Sequence, residues 1–436
     1  MRYALRPRAV AAACACVLYF SAAGVSSARQ TPVTGGQVLI SELRWRGPGR
    51  PVAQPTASPA PTPNRVEDEF VEIYNNTDQE IVVQATDGSG GWAVAASNGQ
   101  FTSTLFVIPN GTRIPARGHF LGANSNGYSL GGYPSGNPDV PPVTCPPSCP
   151  LPSPTPQLFA AATPDATWAF DVPDGSGVAL FSTSDPANMS GATKLDAFGY
   201  TNTPSPYREG TGFPAVVRSY SEHAYYRDLR GGLPKDTNDN AADFLLVGTP
   251  RNIQVRLLGA PGPENLRSPV VNNAGITGRL LDPAASASSP PNRERINTPE
   301  TNADFGTLRV RRTFTNNTGS PVTRLRFRVV NITTAGTPDS ECGGTPCADL
   351  RALTSQDGVV TLSNQTPVLV RGVRLEENPP LLPQGGGYNS SLSADFINLS
   401  QPLLPGASVN IEFKLGVMRD GPFRFLINIE AQSATD

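Results

Sequence analysis

The sequence predicts an all-β protein, built as two β-sandwich domains in tandem behind an export signal. Three observations carry this expectation. The chain has 45 prolines and 42 glycines in 436 residues, so turn-formers recur at short intervals. Between them lie short runs in which polar and apolar residues alternate, the period of a half-buried strand. No segment sustains the apolar period of an amphipathic helix. The length suits two or three domains, and the divisions fall at 1–28, 37–255, a linker at 256–273, and 274–436.

Met1 to Arg8 is a basic lead, Ala9 to Val25 an apolar, alanine-rich run, and Ser26-Ser27-Ala28 offers the small residues that a signal peptidase reads. Residues 1–28 are therefore expected to be a signal peptide. No later segment is long and apolar enough to cross a bilayer, so the mature chain is expected to be secreted, periplasmic or on the cell surface. Removing the signal leaves Cys145, Cys149, Cys342 and Cys347. In an exported chain, such close pairs suggest the local disulfides Cys145–Cys149 and Cys342–Cys347. Zinc at these cysteines is disfavoured, because the spacing is wrong and only His119 and His223 could join them. Lys and Arg number 34 against 36 Asp and Glu, a net charge of −2, so no global field recruits nucleic acid or a membrane surface.

Gln37 to Trp45 reads as the first strand. A Pro-rich insert at 47–64 follows, which cannot pack a core and is expected to be an exposed loop. Glu69-Phe70-Val71-Glu72-Ile73-Tyr74-Asn75 alternates as a strand should, and shorter strands are expected at 80–83, 91–95, 105–108 and 119–122. A second Pro-rich insert, 134–156, carries the first cysteine pair. Gly177 to Phe181 and Leu195 to Tyr200 resume the sheet, and Phe244 to Val247 closes it.

The order Ile40-Ser41-Glu42, Glu69 to Asn75, Gly91-Trp92 and Phe106-Val107-Ile108-Pro109-Asn110-Gly111-Thr112 resembles the lamin-tail domain. Gly177 to Leu180, Asp196 to Tyr200, and Asp236 to Phe244 followed by Thr249-Pro250-Arg251-Asn252 extend the likeness, in the style of secreted bacterial members, over roughly 37–255. The resemblance implies an immunoglobulin-like β-sandwich used for binding or structure rather than catalysis. The two Pro-rich inserts depart from the family's compact pattern.

Arg256 to Asn273 reads as a linker. Beyond it, Val409, Ile411, Phe413, Leu415 and Val417 alternate with polar residues, and Arg419-Asp420-Gly421-Pro422 turns the chain into Phe423, Phe425, Ile427 and Ile429. A hairpin with one buried face is expected there. The preceding Leu403 to Ser408 is similar to strand-opening turns of extracellular immunoglobulin-like repeats, so a second sandwich of that kind is expected.

Four groups of residues are candidates for chemistry. Asp236, Asn238, Asn240 and Asp243 put side-chain oxygens at turn spacing. They fit a calcium loop, which needs six or more oxygens, and equally a turn in which Asn and Asp satisfy their own backbone. Arg309 and Arg311, with Arg324, Arg326 and Arg328, alternate with apolar residues on two strands joined by Thr315 to Ser320. A hairpin would gather them on one solvent face able to hold phosphate or carboxylate, or simply to guard the sheet against aggregation. Glu42 and Glu72 are paired carboxylates of the two strand motifs and are read as structural. Trp45, Trp92, Trp168, Tyr225 and Tyr226 are the aromatics of a conceivable sugar-stacking platform, with Trp92 expected to be buried and the tyrosines exposed. No catalytic residues are assigned: a Gly-x-Ser-x-Gly elbow, a phosphate-cradling loop and a metal-protease helix are all missing from the sequence. The expected function is non-catalytic binding, adhesion or scaffolding toward an extracellular polymer or surface protein. The alternatives are a calcium-dependent carbohydrate-binding module and an accessory module of a secreted hydrolase. No cofactor is expected, apart from calcium under that alternative.

Overall fold

The computed structural model describes residues 32–46, 69–126, 128, 163–215, 223–248, 257–376 and 385–433. The expected signal peptide, both Pro-rich inserts and the Cys145–Cys149 pair lie outside the described residues.

Alternating side chains put one face of each strand into a core, and the strands associate accordingly. Val38–Arg46 is central to the first sheet. It pairs antiparallel with His223–Arg227 on one side and Phe70–Asn75 on the other. Phe244–Gly248 and Leu257–Leu258 extend the sheet beyond His223–Arg227, and His119–Asn124 and Ala166–Trp168 extend it beyond Phe70–Asn75. A four-stranded sheet of Lys194–Phe198, Gly177–Phe181, Gly91–Ser97 and Thr102–Pro109 accompanies it. Val38, Ile40, Leu43 and Trp45 of the first sheet share a core with Trp92, Val94, Val178 and Phe198 of the second. The chain is all-β, as the alternation predicts.

The C-terminal half forms a second pair of sheets. Val270–Val271, Phe425–Ser433, Val322–Ile332, Ser391–Ser393 and Arg374–Leu375 make one. Ile276–Leu280, Thr307–Asn316, Ser408–Arg419, Pro367–Gly372 and Gly358–Thr361 make the other. Phe327 of the first meets Phe413 of the second with ring centroids 5.0 Å apart and edge to face, a favoured aromatic geometry.

Both hairpins read from the sequence are corrected by this arrangement. Thr307–Asn316 pairs with Ser408–Arg419, and Val322–Ile332 pairs with Phe425–Ser433. Each expected hairpin is therefore an arch that carries the chain from one sheet to the other. The physical reason is that alternation defines an apolar face without saying whether that face lies beside its neighbour or opposite it. An arch sets Phe314 against Phe327, 4.7 Å apart, across the core.

The stretch read as a linker is also corrected. Leu257–Leu258 runs parallel to Phe244–Gly248, Val270–Val271 pairs with Phe425–Ser433, and residues 258–265 are buried between. Its glycines and prolines suggested an exposed connection. Their actual use is close approach: a Cβ on Gly259 would stand 2.4 Å from the Tyr388 carbonyl oxygen. The chain from Val33 onward forms one compact unit, and Ala224, Tyr226 and Val247 of the N-terminal half belong to the same core cluster as Phe327 and Phe413. The Cys342–Cys347 disulfide forms, with a Cα–Cα distance of 5.5 Å.

Candidate functional site

The densest collection of ionisable groups lies where the first sheet meets Val322–Ile332 and Phe425–Ser433. Strand alternation places it there. Val71 and Ile73 point into the N-terminal core, so Glu72 between them points the other way, while Leu325, Phe327 and Val329 turn Arg326 and Arg328 outward from the C-terminal core. The two outer faces meet, and charges that alternation would expose are enclosed. Glu42, Glu72, His119, Glu264, Arg326, Arg328, Glu376 and Glu430 are all buried, none exposed by more than 6%.

Glu430 accepts from both arginines: Arg326 Nε at 2.6 Å on Oε2 and Arg328 Nε at 2.5 Å on Oε1. Glu264 Oε1 takes the Nη2 groups of Arg326 and of Arg328, the latter at 2.9 Å. Arg328 Nη1 donates to Asn389 Oδ1 at 2.6 Å, and Asn389 Nδ2 donates to Glu42 Oε2 at 3.1 Å. Glu42 and Glu72 are cross-strand partners. The buried 258–265 segment serves both, with Gly262 N donating to Glu42 Oε1 at 3.3 Å and Glu264 N to Glu72 Oε2 at 2.5 Å. Charge-assisted bonds of this kind are the strong ones.

Burial, and then the neighbouring Glu72 carboxylate, hold the Glu42 carboxyl well above its ordinary range. Burial likewise pushes Glu72 up to about 8, against the Ser41 hydroxyl and Arg328, which pull it down. Glu430 behaves oppposite to these: burial raises it, but Arg326 and Arg328 together outweigh burial and leave it below its ordinary value. Burial first, then Arg328 and Arg326, keep His119 well below its usual range. His119 Nε2 stands 3.2 Å from Glu264 Oε2 and 3.8 Å from Glu72 Oε1. A small cavity of about 40 Å³ opens beside them, bordered by Ser41, Tyr74, Tyr226 and Asn428.

A second arrangement lies on the far sheet of the C-terminal half. Arg309, Arg311, Glu294, Glu300, Glu412 and Lys414 line an open groove of about 780 Å³ beside the Gly358–Thr361 and Pro367–Gly372 hairpin. Its charges are paired across strands: Arg311 Nε with Glu412 at 2.7 Å, Arg309 with Glu412 at 3.4 Å, and Lys414 with Glu300 at 2.5 Å.

The five arginines expected on one face are thus divided. Arg309 and Arg311 border the groove, Arg326 and Arg328 are sealed between the halves, and Arg324 is half-buried on the same strand. The arch between the two strands separates them, which is the physical reason that the single stripe does not form. The aromatic platform is corrected as well, since Trp45, Trp92, Trp168, Tyr225 and Tyr226 are all at most 5% exposed. Trp92 is buried as expected; the tyrosines are not exposed.

Asp236, Asn238, Asn240 and Asp243 have the partners of a capped turn. Asp239 caps the short helix Asn240–Asp243. Asn240 Oδ1 accepts from Gly199 N at 2.9 Å and Glu209 N at 2.8 Å, and Asp243 accepts from the amide and hydroxyl of Thr237. Asn238 takes the left-handed conformation at φ 56°. Asp236 Oδ1 and Asp243 Oδ2 both flank Arg227, at 3.5 and 3.7 Å, and Arg227 Nη2 in turn holds both Asp196 oxygens. A buried arginine therefore occupies the ground between these acids.

Sequence reasoning did not single out His119, Glu264, Arg227 or Glu430 as members of these buried charge clusters. The available signal was a polar residue at the outward position of an otherwise apolar strand, repeated on several strands at once. No protein-family model matches the chain, and no curated protein matches it.

Proposed function

We propose that the chain is an exported, non-catalytic binding or scaffold protein, with a lamin-tail-like N-terminal module and a second immunoglobulin-like module. Its partner would be an extracellular polymer or a surface protein. The observation that carries this reading is the open groove of about 780 Å³ along the Arg309, Arg311, Glu412 and Lys414 strand faces. Charged groups of both signs spaced along a strand suit an extended polar chain, and a guanidinium fork suits its carboxylate, phosphate or hydroxyl groups. The export signal, the lamin-tail motifs and the inward use of Glu42 and Glu72 support the same reading.

The test is a panel of polysaccharides and anionic surface polymers presented to the mature protein, with product analysis run in parallel. Saturable binding without turnover is expected, and it should weaken about tenfold in Arg309→Ala together with Lys414→Ala. Product formation from any polymer, or binding indifferent to both substitutions, would refute the reading.

A further inference from the structure

The geometry points to a binding site for a divalent cation of the zinc class, formed by Glu72, His119 and Glu264 where the two halves meet. It goes beyond the binding or scaffold reading and stands independently of it. His119 Nε2, one Glu72 oxygen and one Glu264 oxygen all lie within 4.8 Å of one another. The two nitrogen–oxygen separations are 3.2 and 3.8 Å. Donor atoms held about 2.1 Å from an ion at tetrahedral angles stand ~3.4 Å apart, so these separations already bracket a coordination polyhedron.

Three further observations support the site. His119 is only 6% exposed, and its Nε2 faces the two carboxylates. The surroundings are rich in carboxyl groups: Glu42, Glu72, Glu264, Glu376 and Glu430 are buried around Arg326 and Arg328, with Arg324 half-buried on the same strand, and Arg227, which also borders the cavity, is held by Asp196. A divalent ion supplies the counter-charge that lets a buried carboxyl such as Glu72 ionise against the cost of burial. The adjacent cavity of about 40 Å³ accommodates a water as fourth ligand.

The outer contacts are also those of a ligand set. The Ser41 hydroxyl donates to Glu72 Oε1 at 2.5 Å, and the two arginines hold Glu264 Oε1, leaving Oε2 toward the histidine. Such partners orient ligating carboxylates. One imidazole with two carboxylates suits zinc and its first-row neighbours, whereas calcium would require six or more oxygens.

The mature chain, stripped with chelator and reloaded with Zn(II) or Co(II), should retain one equivalent of metal after dialysis and melt at a higher temperature. The Co(II) form should show the visible bands of a four-coordinate ion. His119→Gln should melt like the stripped wild type and bind Zn(II) about 100-fold more weakly, while His223→Gln should bind normally. Absent metal retention with an unshifted melt, or wild-type affinity in His119→Gln, would overturn the site. Should His119→Gln fail to fold, the Cu(II)-loaded wild type decides: paramagnetic resonance should show hyperfine coupling to one imidazole nitrogen, and a spectrum free of nitrogen coupling would overturn it.

Discussion

Arg326 is paired with three carboxylates, Glu264, Glu376 and Glu430, and Arg328 with two, Glu264 and Glu430, and both are almost wholly desolvated. Breaking a buried pair by removing one partner costs more than the pair itself contributes, because the other charge stays buried and unmatched. Arg326→Met should therefore destabilise the chain by about 3–5 kcal/mol in denaturant unfolding. A loss below ~1 kcal/mol would mean that Glu264 and Glu430 find another counter-charge. Glu209 gives the opposite kind of test. It is buried, accepts from Lys194 Nζ at 2.8 Å, and leaves Oε2 without a hydrogen-bond partner. Burial, then the Asp196 carboxylate, pushes it up to about 8. Its folded value thus exceeds its unfolded one of about 4.3. The folded state binds the extra proton between those values, so the contribution to stability is complete below about pH 4 and is lost as pH rises through about 8. Glu209→Gln lacks that slope, and its stability should gain on wild type by up to ~4 kcal/mol between pH 5 and 8.5. Parallel curves for the two proteins would contradict the assignment. Neither residue's role could be read from spacing. Glu209 and Arg326 take their meaning from partners that are distant along the chain.

The strands themselves were largely legible. Val38–Arg46, Phe70–Asn75, Gly91–Ser97 and Gly177–Phe181 fall where alternation and turn residues place them. What alternation could not decide was pairing, because a two-residue period marks a buried face and leaves its opposite number open. Thr307–Asn316 and Val322–Ile332 look like one hairpin by every local rule, yet they face each other across a core. The crossing segment was missed for a related reason. Gly259 and Gly262 mark close approach of backbones, and in a sequence that is indistinguishable from flexibility. Gly259→Ala should therefore cost about 1–3 kcal/mol, since its Cβ would meet both the Val247 side chain and the Tyr388 carbonyl. An unchanged unfolding midpoint would show that the segment has slack. Reduction of Cys342–Cys347 should have a modest effect, about 2 kcal/mol, because the bond closes a loop of few residues.

At the scale of the molecule, the two halves share side chains as well as a boundary. Tyr226 stands on a strand of the N-terminal sheet, belongs to the C-terminal core cluster, and donates its hydroxyl to Ala260 in the crossing segment at 2.5 Å. Calorimetry of the whole chain should give a single transition with equal calorimetric and van't Hoff enthalpies. A fragment covering 37–255 should unfold at much lower temperature, because it would expose Ala224, Tyr226 and Val247 together with Glu42 and Glu72. Two separated transitions would argue for independent modules. Motif order suggested a division at 255; the common core was not legible, because the residues that join the halves look like ordinary outward positions of their strands.

The pairing of Val270–Val271 with Phe425–Ser433 bears on how the polypeptide is made. The strap that ties the first half to the second closes against Phe425–Ser433, a strand that lies far downstream of it in the sequence. A chain halted shortly before that strand would hold its paired acids and arginines in water, with nothing to shut over them. Folding all at once, when every one of these strands is present, suits such an architecture better than completion piece by piece.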